Sequence, residues 1–284
     1  MPTMSPRVWL ITGTSSGLGT EFVKAVLARG DNVIATARNA DRIAHLKEIG
    51  AATMQLDVTV SQSELDRKAE EAIAVYGGVD VLVNNAGYTQ FGTVEETSHD
   101  EWYAQFNTNV FGTLNTTRSF LPHMRAKKAG TVVFIGSMVA WDGAPTVGPY
   151  CASKAAIHYA AESLSREVAH IGIKTLLVEP GTFRTELLSP QNKKPGVIKF
   201  DDYKPLNESF GSVFNNLNGN QAGDARKGVE RIVDVVKGEN GAAEKEWPME
   251  LVIGSDAVAG IRKKCEDTLR LLAEWEEVSK STDL

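Results

Sequence analysis

The sequence predicts a doubly wound α/β domain, with about seven short parallel strands and helices on both faces, in one unit spanning residues 1–284. Three observations predict it. Short β-branched runs alternate with helical patterns from start to finish. Most of these runs are continuously apolar, as strands covered on both faces must be. No Pro/Gly/Ser-rich linker interrupts the rhythm, so a single domain is expected.

The elements follow in order. "VWLIT" (Val8–Thr12) is the first strand, and "LGTEFVKAVLAR" the helix after it. "NVIATA" (Asn32–Ala37) and "ATMQL" (Ala52–Leu56) are the next two strands, and "QSELDRKAEEAIAVY" has helical periodicity. "VDVLVN" (Val79–Asn84) leads into a long helical stretch from His99 to Lys127. "TVVFIG" (Thr131–Gly136), a helix from Tyr150 to His170, and "IKTLLVE" (Ile173–Glu179) complete the central part. "ELVIG" (Glu250–Gly254) precedes a charged amphipathic helix over roughly 256–278. Parallel strands joined through helices require right-handed crossovers.

The rhythm breaks between 182 and 219, where Pro, Gly and Asn mix with Leu187, Leu188, Val197, Ile198, Phe200, Tyr203, Phe210 and Phe214. This stretch is too apolar for a solvated linker and too broken for a core helix. It follows the C-terminal end of the sixth strand, where open α/β sheets bind ligands, and is expected to be a substrate lid. The alternative is a surface excursion or an oligomer contact.

Composition narrows the function. The chain is 42% hydrophobic and 23% charged with a net charge of −6, so it lacks the basic footprint of a nucleic-acid binder. The short basic runs at Arg125–Lys128 and Arg262–Cys265 read as solvated helix ends, with a patch for an acidic carrier protein as the alternative. Cys151 and Cys265 cannot form a disulfide framework and have no metal-ligand spacing, so no metal is expected. A first strand starting at Val8 leaves no room for a leader, and no apolar run reaches membrane-spanning length. The expectation is a cytoplasmic protein.

Two clusters carry chemistry. "TGTSSGLG", directly after the first strand, places Gly13, Gly17 and Gly19 at a strand–helix junction, where a tight turn can cradle a pyrophosphate on the helix N-terminus. "YCASK" places Tyr150 and Lys154 four apart on one helix face, near a strand that ends at Ser137. A cation beside a phenol favours phenolate, so the tyrosine pKa is expected to fall by two to three units, roughly 3–4 kcal/mol of differential interaction, once a cationic ring also lies near. Ser137 is placed to hydrogen-bond a substrate oxygen as charge develops on it.

The Gly-x-x-x-Gly-x-Gly spacing resembles the short-chain dehydrogenase/reductase superfamily. The resemblance recurs in "NNAG" (Asn84–Gly87), "NVFG" from Asn109, the strand-end Ser137, "YCASK", and "PG" (Pro180–Gly181). It runs in order over nearly the whole chain and points to the compact single-domain, Rossmann-like branch. The ending, with "TSSGLG" and "ATARN", resembles a subgroup related to 17β-hydroxysteroid and retinol dehydrogenases.

The resemblance implies an oxidoreductase that moves a hydride between nicotinamide and a carbonyl or alcohol, with Ser137, Tyr150, Lys154 and Asn109 as its catalytic tetrad. Lys154 would also bind the nicotinamide ribose, and Asn109 would hold a water that relays protons to it. Gly13, Ser15, Ser16, Gly17, Leu18 and Gly19 would cradle the phosphates. Asp57 and Val58 would contact the adenine, and Asn85, Ala86 and Gly87 the ribose. Pro180, Gly181, Phe183 and Thr185 would close the nicotinamide end. A homodimer or homotetramer through the two long helices is implied.

At the end of the second strand, "TARN" gives Ala37 where an NAD site wants a carboxylate, followed by Arg38, a match for a 2′-phosphate. The expected cofactor is NADP(H), with NAD(H) the alternative, although Ser16 occupies the position of a second usual base. Val139, Trp141, Val147 and Leu187 would wall a hydrophobic ketone, aldehyde or secondary alcohol. His158, on the same face as Tyr150, reads as packing or subunit contact, and Cys151 as buried and inert. The rival reading is a dinucleotide-sensing module on the same fold, disfavoured because all four tetrad residues are present. An extended-branch epimerase would require another glycine spacing and a larger C-terminal domain.

Overall fold

The computed structural model describes residues 5–189 and 193–284; residues 190–192 of the expected lid lie outside it. Seven strands form one parallel sheet: β1 (Val8–Ile11), β2 (Asn32–Ala37), β3 (Ala52–Gln55), β4 (Val81–Asn84), β5 (Gly130–Ile135), β6 (Ile173–Pro180) and β7 (Glu250–Ile253). Their spatial order is β7-β6-β5-β4-β1-β2-β3. Chain direction across the sheet therefore reverses between β1 and β4, which opens a crevice at their carboxyl ends.

The apolar strands bury both faces. Trp9, Ile11, Val33, Val83, Val133 and Val178 pack on one side against α1 (Gly17–Ala28). Leu10, Ile34, Leu82, Phe134 and Leu177 point to the other side. There they meet α2 (Gln62–Tyr76) and a long helical run. The run comprises α3 (His99–Phe106), a wide π-type turn at Asn107–Gly112, and α4 (Thr113–Lys127). The helix α5 (Gly148–Val168) completes that layer. Side chains at Ser61 and Ser98 cap α2 and α3, the second in a reciprocal capping box with Glu101.

Three features differ from the sequence reading. The stretch expected to be too broken for a core helix contains a surface helix, α6 (Lys204–Leu217), none of whose residues is buried. Its Pro205 sits in the first turn, where a missing N–H costs nothing, so proline marks a helix start there and not a break. A second helix, α7 (Ala225–Lys237), was not anticipated at all. Its Val229, Ile232, Val233 and Val236 are buried against the α1 side of the sheet. The C-terminal helix α8 spans Ser255–Glu274, with a separate short turn of helix at Glu276–Lys280. Strand ends shift by one or two residues from the expected bounds.

Among the described residues no helix is long and apolar enough to cross a membrane. Truncating Ile232 to Ala leaves a cavity between α7 and the sheet and should cost about 2–4 kcal/mol of unfolding free energy, read from urea denaturation.

Candidate active site

At the crevice, Thr12 ties the first strand–helix turn to the end of β4. Its hydroxyl accepts from the backbone N–H groups of Asn85 and Ala86, both at 3.0 Å. The Asn85 amide donates to the carbonyls of Thr12 (2.8 Å) and Gly13 (3.0 Å). The Asn85 side chain, expected to line a ribose, thus clamps the glycine turn. Gly13 has φ +68°, and a Cβ there would sit 2.8 Å from the Ala86 Cα. A Cβ on Gly19 would lie 2.3 Å from the Gly13 carbonyl oxygen, so only glycine lets α1 start this close to the turn. The first turn of α1 carries no acidic residue and no side-chain cap, leaving its N–H groups free for an anion.

A cavity of about 380 Å³ runs from this turn to α5. It is lined by every residue expected to hold the cofactor except Gly19, which lies beneath the turn. Ser15, Ser16, Gly17 and Leu18 form one wall, Arg38, Asp57 and Val58 the far end, and Gly87, Pro180, Gly181, Phe183 and Thr185 the approach to α5. Four cationic side chains, Arg38, Arg42, Lys154 and Lys194, face it against the single carboxylate of Asp57. That imbalance suits a polyanionic ligand. Arg42 and Lys194 were missed in the sequence; Arg42 follows Arg38 by four positions and could have been found by that spacing.

At the α5 end, Ser137 and Tyr150 both line the cavity, and the Ser137 Oγ accepts from Val139 N at 3.4 Å. Lys154 is buried, its Nζ donates to the Ile135 carbonyl at 2.6 Å, and it lies 5.7 Å from the Tyr150 ring centroid. Burial pushes the Tyr150 phenol up to about 12, and the nearby Ser137 hydroxyl offsets this only in part. Burial pushes the Lys154 ammonium down to about 8. The expected fall invoked a cationic ring beside the phenol as well as the amine; burial among the protein's own groups acts the other way and raises it.

Asn109, in the π-type turn, uses its amide to brace neighbouring backbone. Its Oδ1 accepts from Tyr88 N (3.2 Å), and its Nδ2 donates to Tyr88 O (3.2 Å) and Ser153 Oγ (3.1 Å). It is 2% exposed and does not line the cavity. The widened turn itself is a feature often found at functional sites.

Val139, Val147 and Leu187 line the cavity as expected, joined by Phe91, Leu188, Phe214 and Leu217. Trp141 does not. Its indole donates to Glu179, and its ring meets His158 edge-on at 5.3 Å. His158 Nδ1 lies 2.8 Å from the fully buried Glu179, so the histidine serves packing on α5. Cys151 is buried with its thiol pKa raised by burial, consistent with an inert role. Trp247 packs on the core while Trp275 is exposed. Another missed residue, Asp256 in the first turn of α8, accepts from Thr182 N (2.7 Å) and Thr182 Oγ1 (2.6 Å) and fixes the turn after β6.

Residues 7–196 match the family profile described as short chain dehydrogenase. The chain belongs to the short-chain dehydrogenase family. It is 32% identical over 277 residues to oxidoreductase BOA17 of Botryotinia fuckeliana, covering 96% of this chain and 98% of that one. It is 36% identical over 201 residues to the 3-ketodihydrosphingosine reductase of Bacteroides thetaiotaomicron, covering 70% and 72%. A short-chain dehydrogenase structure from Streptomyces avermitilis superposes with a TM-score of 0.87 at 37% identity, over 99% of this chain and 100% of that one. A Burkholderia phymatum relative in complex with NAD shares the fold at 22% identity, with a TM-score of 0.78 over 95% and 97% of the two chains. ElxO with NADP bound also shares it, at 24% identity and a TM-score of 0.70 over 89% and 99%.

Gly13→Val should abolish dinucleotide binding in a fluorescence titration, because the turn tolerates neither the side chain nor the backbone angle. A second expectation concerns the Glu179 cluster. Burial and a hydrogen bond to Glu179 push the Glu250 carboxyl up to about 7, and the Glu179 hydrogen bond raises His158. Both native groups hold protons more tightly than the unfolded chain, so their stabilisation is present at low pH and lost as pH rises through about 7. Tm should therefore fall as pH rises from about 4.5 to about 7, and Glu250→Gln should flatten that fall.

Proposed function

We propose that this protein is an NADP(H)-dependent carbonyl reductase acting on a hydrophobic ketone or aldehyde, and in reverse on a secondary alcohol. The observation that carries the reading is the convergence of Ser137, Tyr150 and buried Lys154 on one wall of a cation-lined cavity. The glycine turn, the unoccluded α1 terminus and the surplus of cationic side chains fit a dinucleotide phosphate. Bound there, the nicotinamide would supply the hydride.

The protein's own groups manage the proton. With its phenol at about 12, Tyr150 is protonated at neutral pH and serves as a general acid toward the carbonyl oxygen. Ser137 donates to that same oxygen and steadies the negative charge that develops on it. Lys154, at about 8, is predominantly protonated near pH 7 and supplies both a positive field and a proton reservoir behind the phenol. The carbonyl of Ile135 holds its Nζ at this place. Asn109 braces the backbone beneath, and a water relay through it belongs to this proposal.

Arg38 and Arg42 support NADP(H) over NAD(H), because Ala37 offers no carboxylate to the ribose while two guanidinium groups face the cavity end. Apolar Val139, Val147, Leu188, Phe214 and Leu217 support a hydrophobic substrate. Exposed Tyr103, Phe111 and Tyr159 on the long helices support a homodimer or homotetramer, which light scattering would resolve. The free thiols of Cys151 and Cys265 fit a cytoplasmic setting.

Tyr150→Phe should lower NADPH oxidation across a panel of hydrophobic carbonyls by at least about 10³-fold while NADPH still binds; retained turnover would contradict the role given to the phenol. Arg38→Asp should weaken NADPH binding by roughly tenfold or more and leave NADH binding little changed, whereas equal losses would remove Arg38 from phosphate recognition.

A further inference from the structure

The lid crosses the segment that follows β4, and the crossing is polar. Thr89–Gln90 pairs in parallel with Lys193–Lys194, and Phe91 N donates to the Lys194 carbonyl at 2.9 Å. A Cβ on Gly196 would sit 2.5 Å from the Phe91 carbonyl oxygen, so the two backbones touch there. Immediately beyond, Glu96 is 1% exposed, and its carboxylate gathers the incoming chain. Lys199 N (2.8 Å) and Phe200 N (3.2 Å) donate to one oxygen, and Asn207 Nδ2 (2.9 Å) and Thr93 Oγ1 (2.8 Å) to the other. The Lys199 ammonium reaches the Glu96 carbonyl at 2.5 Å. Three of the four carboxylate donors belong to the lid.

These bonds matter because little else holds α6. None of its residues is fully buried, yet it carries Phe214 and Leu217 to the cavity. Phe214 stands edge-on to Phe91 at 5.0 Å, the one ring contact between α6 and the segment after β4 among the described residues. The start of α6 is thus fixed by charge-assisted hydrogen bonds, and its far end brings Phe214 against the cluster of Phe91, Val147 and Cys151.

We propose that Glu96 is the positioning residue that latches the lid over the substrate end of the cavity, and that it thereby sets a preference for bulky hydrophobic carbonyls over small ones. The preference rests on the carbonyl-reductase reading above; the latch does not. Glu96 itself does not line the cavity and acts only through α6. Burial alone would raise its pKa, but the bonds from Asn207, Lys199, Thr93 and Phe200 outweigh burial and hold it near about 2. The carboxylate is therefore ionised, and the latch made, at neutral pH.

The experiment compares wild type, Glu96→Gln and Asn207→Leu, the last removing one lid donor in case the first fails to fold. Hydrogen exchange followed by mass spectrometry reads peptides covering 193–217, alongside NADPH affinity and kinetics on a small aldehyde and a bulky aryl ketone. In both variants exchange over 199–217 should rise about tenfold or more, with the central sheet and NADPH affinity unchanged. KM for the bulky ketone should rise about tenfold, with kcat and the small-aldehyde constants within roughly twofold. Unchanged exchange in the folded variants overturns the latch, whatever the kinetics. Faster exchange with an unchanged ratio of kcat/KM for the two substrates overturns the specificity role. A wild type that reduces no carbonyl defeats the reductase reading and the preference with it, while exchange alone still decides the latch.

Discussion

Burial of one phenol and one amine at the closed end of a shared cleft is the constraint on which the rest of the site depends. Desolvation acts on the two groups in opposite directions, raising Tyr150 to about 12 and lowering Lys154 to about 8. Both shifts disfavour charge. The result at neutral pH is a neutral hydroxyl ready to give its proton, backed by an amine that is charged but close to its own midpoint. Such a pair suits carbonyl reduction, in which an oxygen gains negative charge and then a proton. The reverse reaction needs additional positive charge beside the phenol to make it a base.

The frame brings this pair to the cleft by simple means. The reversal of strand order between β1 and β4 creates the crevice, and apolar strands bury the sheet beneath it. Polar tethers hold the loops above it. Thr12 and Asn85 fix the glycine turn, Asp256 the turn after β6, Glu179 the segment between Ser137 and Tyr150, and Glu96 the lid. Thr146, in that same segment, has φ +63°, a strained value for a β-branched residue. Its carbonyl accepts from Gly92 N at 2.8 Å, which ties the segment to the chain under the lid.

The sheet and the glycine turn were legible in the sequence because apolar continuity and glycine spacing are local signals. The order of motifs then identified Ser137, Tyr150 and Lys154, which the fold brings together. What escaped was set by tertiary context. The helix α7 shows strong amphipathic periodicity but lies between the expected lid and the last strand, a stretch given no assignment. The α6 helix was masked by its Pro and Gly. Trp141 belongs to an apolar string in sequence, yet its indole N–H needs an acceptor, and the buried Glu179 supplies one outside the cavity. The expected direction of the Tyr150 shift rested on the amine together with a cationic ring, whereas the extent of burial is not visible in a spacing of four residues. Glu96 and Asp256 carry no local signal, because their partners lie 103 and 74 residues away.

Ionisation of Tyr150 without any ligand tests the central claim most directly. Spectrophotometric titration of the wild type minus Tyr150→Phe, followed at the phenolate absorbance, isolates that one hydroxyl. The account predicts no ionisation of Tyr150 below about pH 11, in keeping with a phenol pushed up to about 12. A difference spectrum that titrates below pH ~9 would show that the neighbouring amine prevails over burial, and would contradict the account.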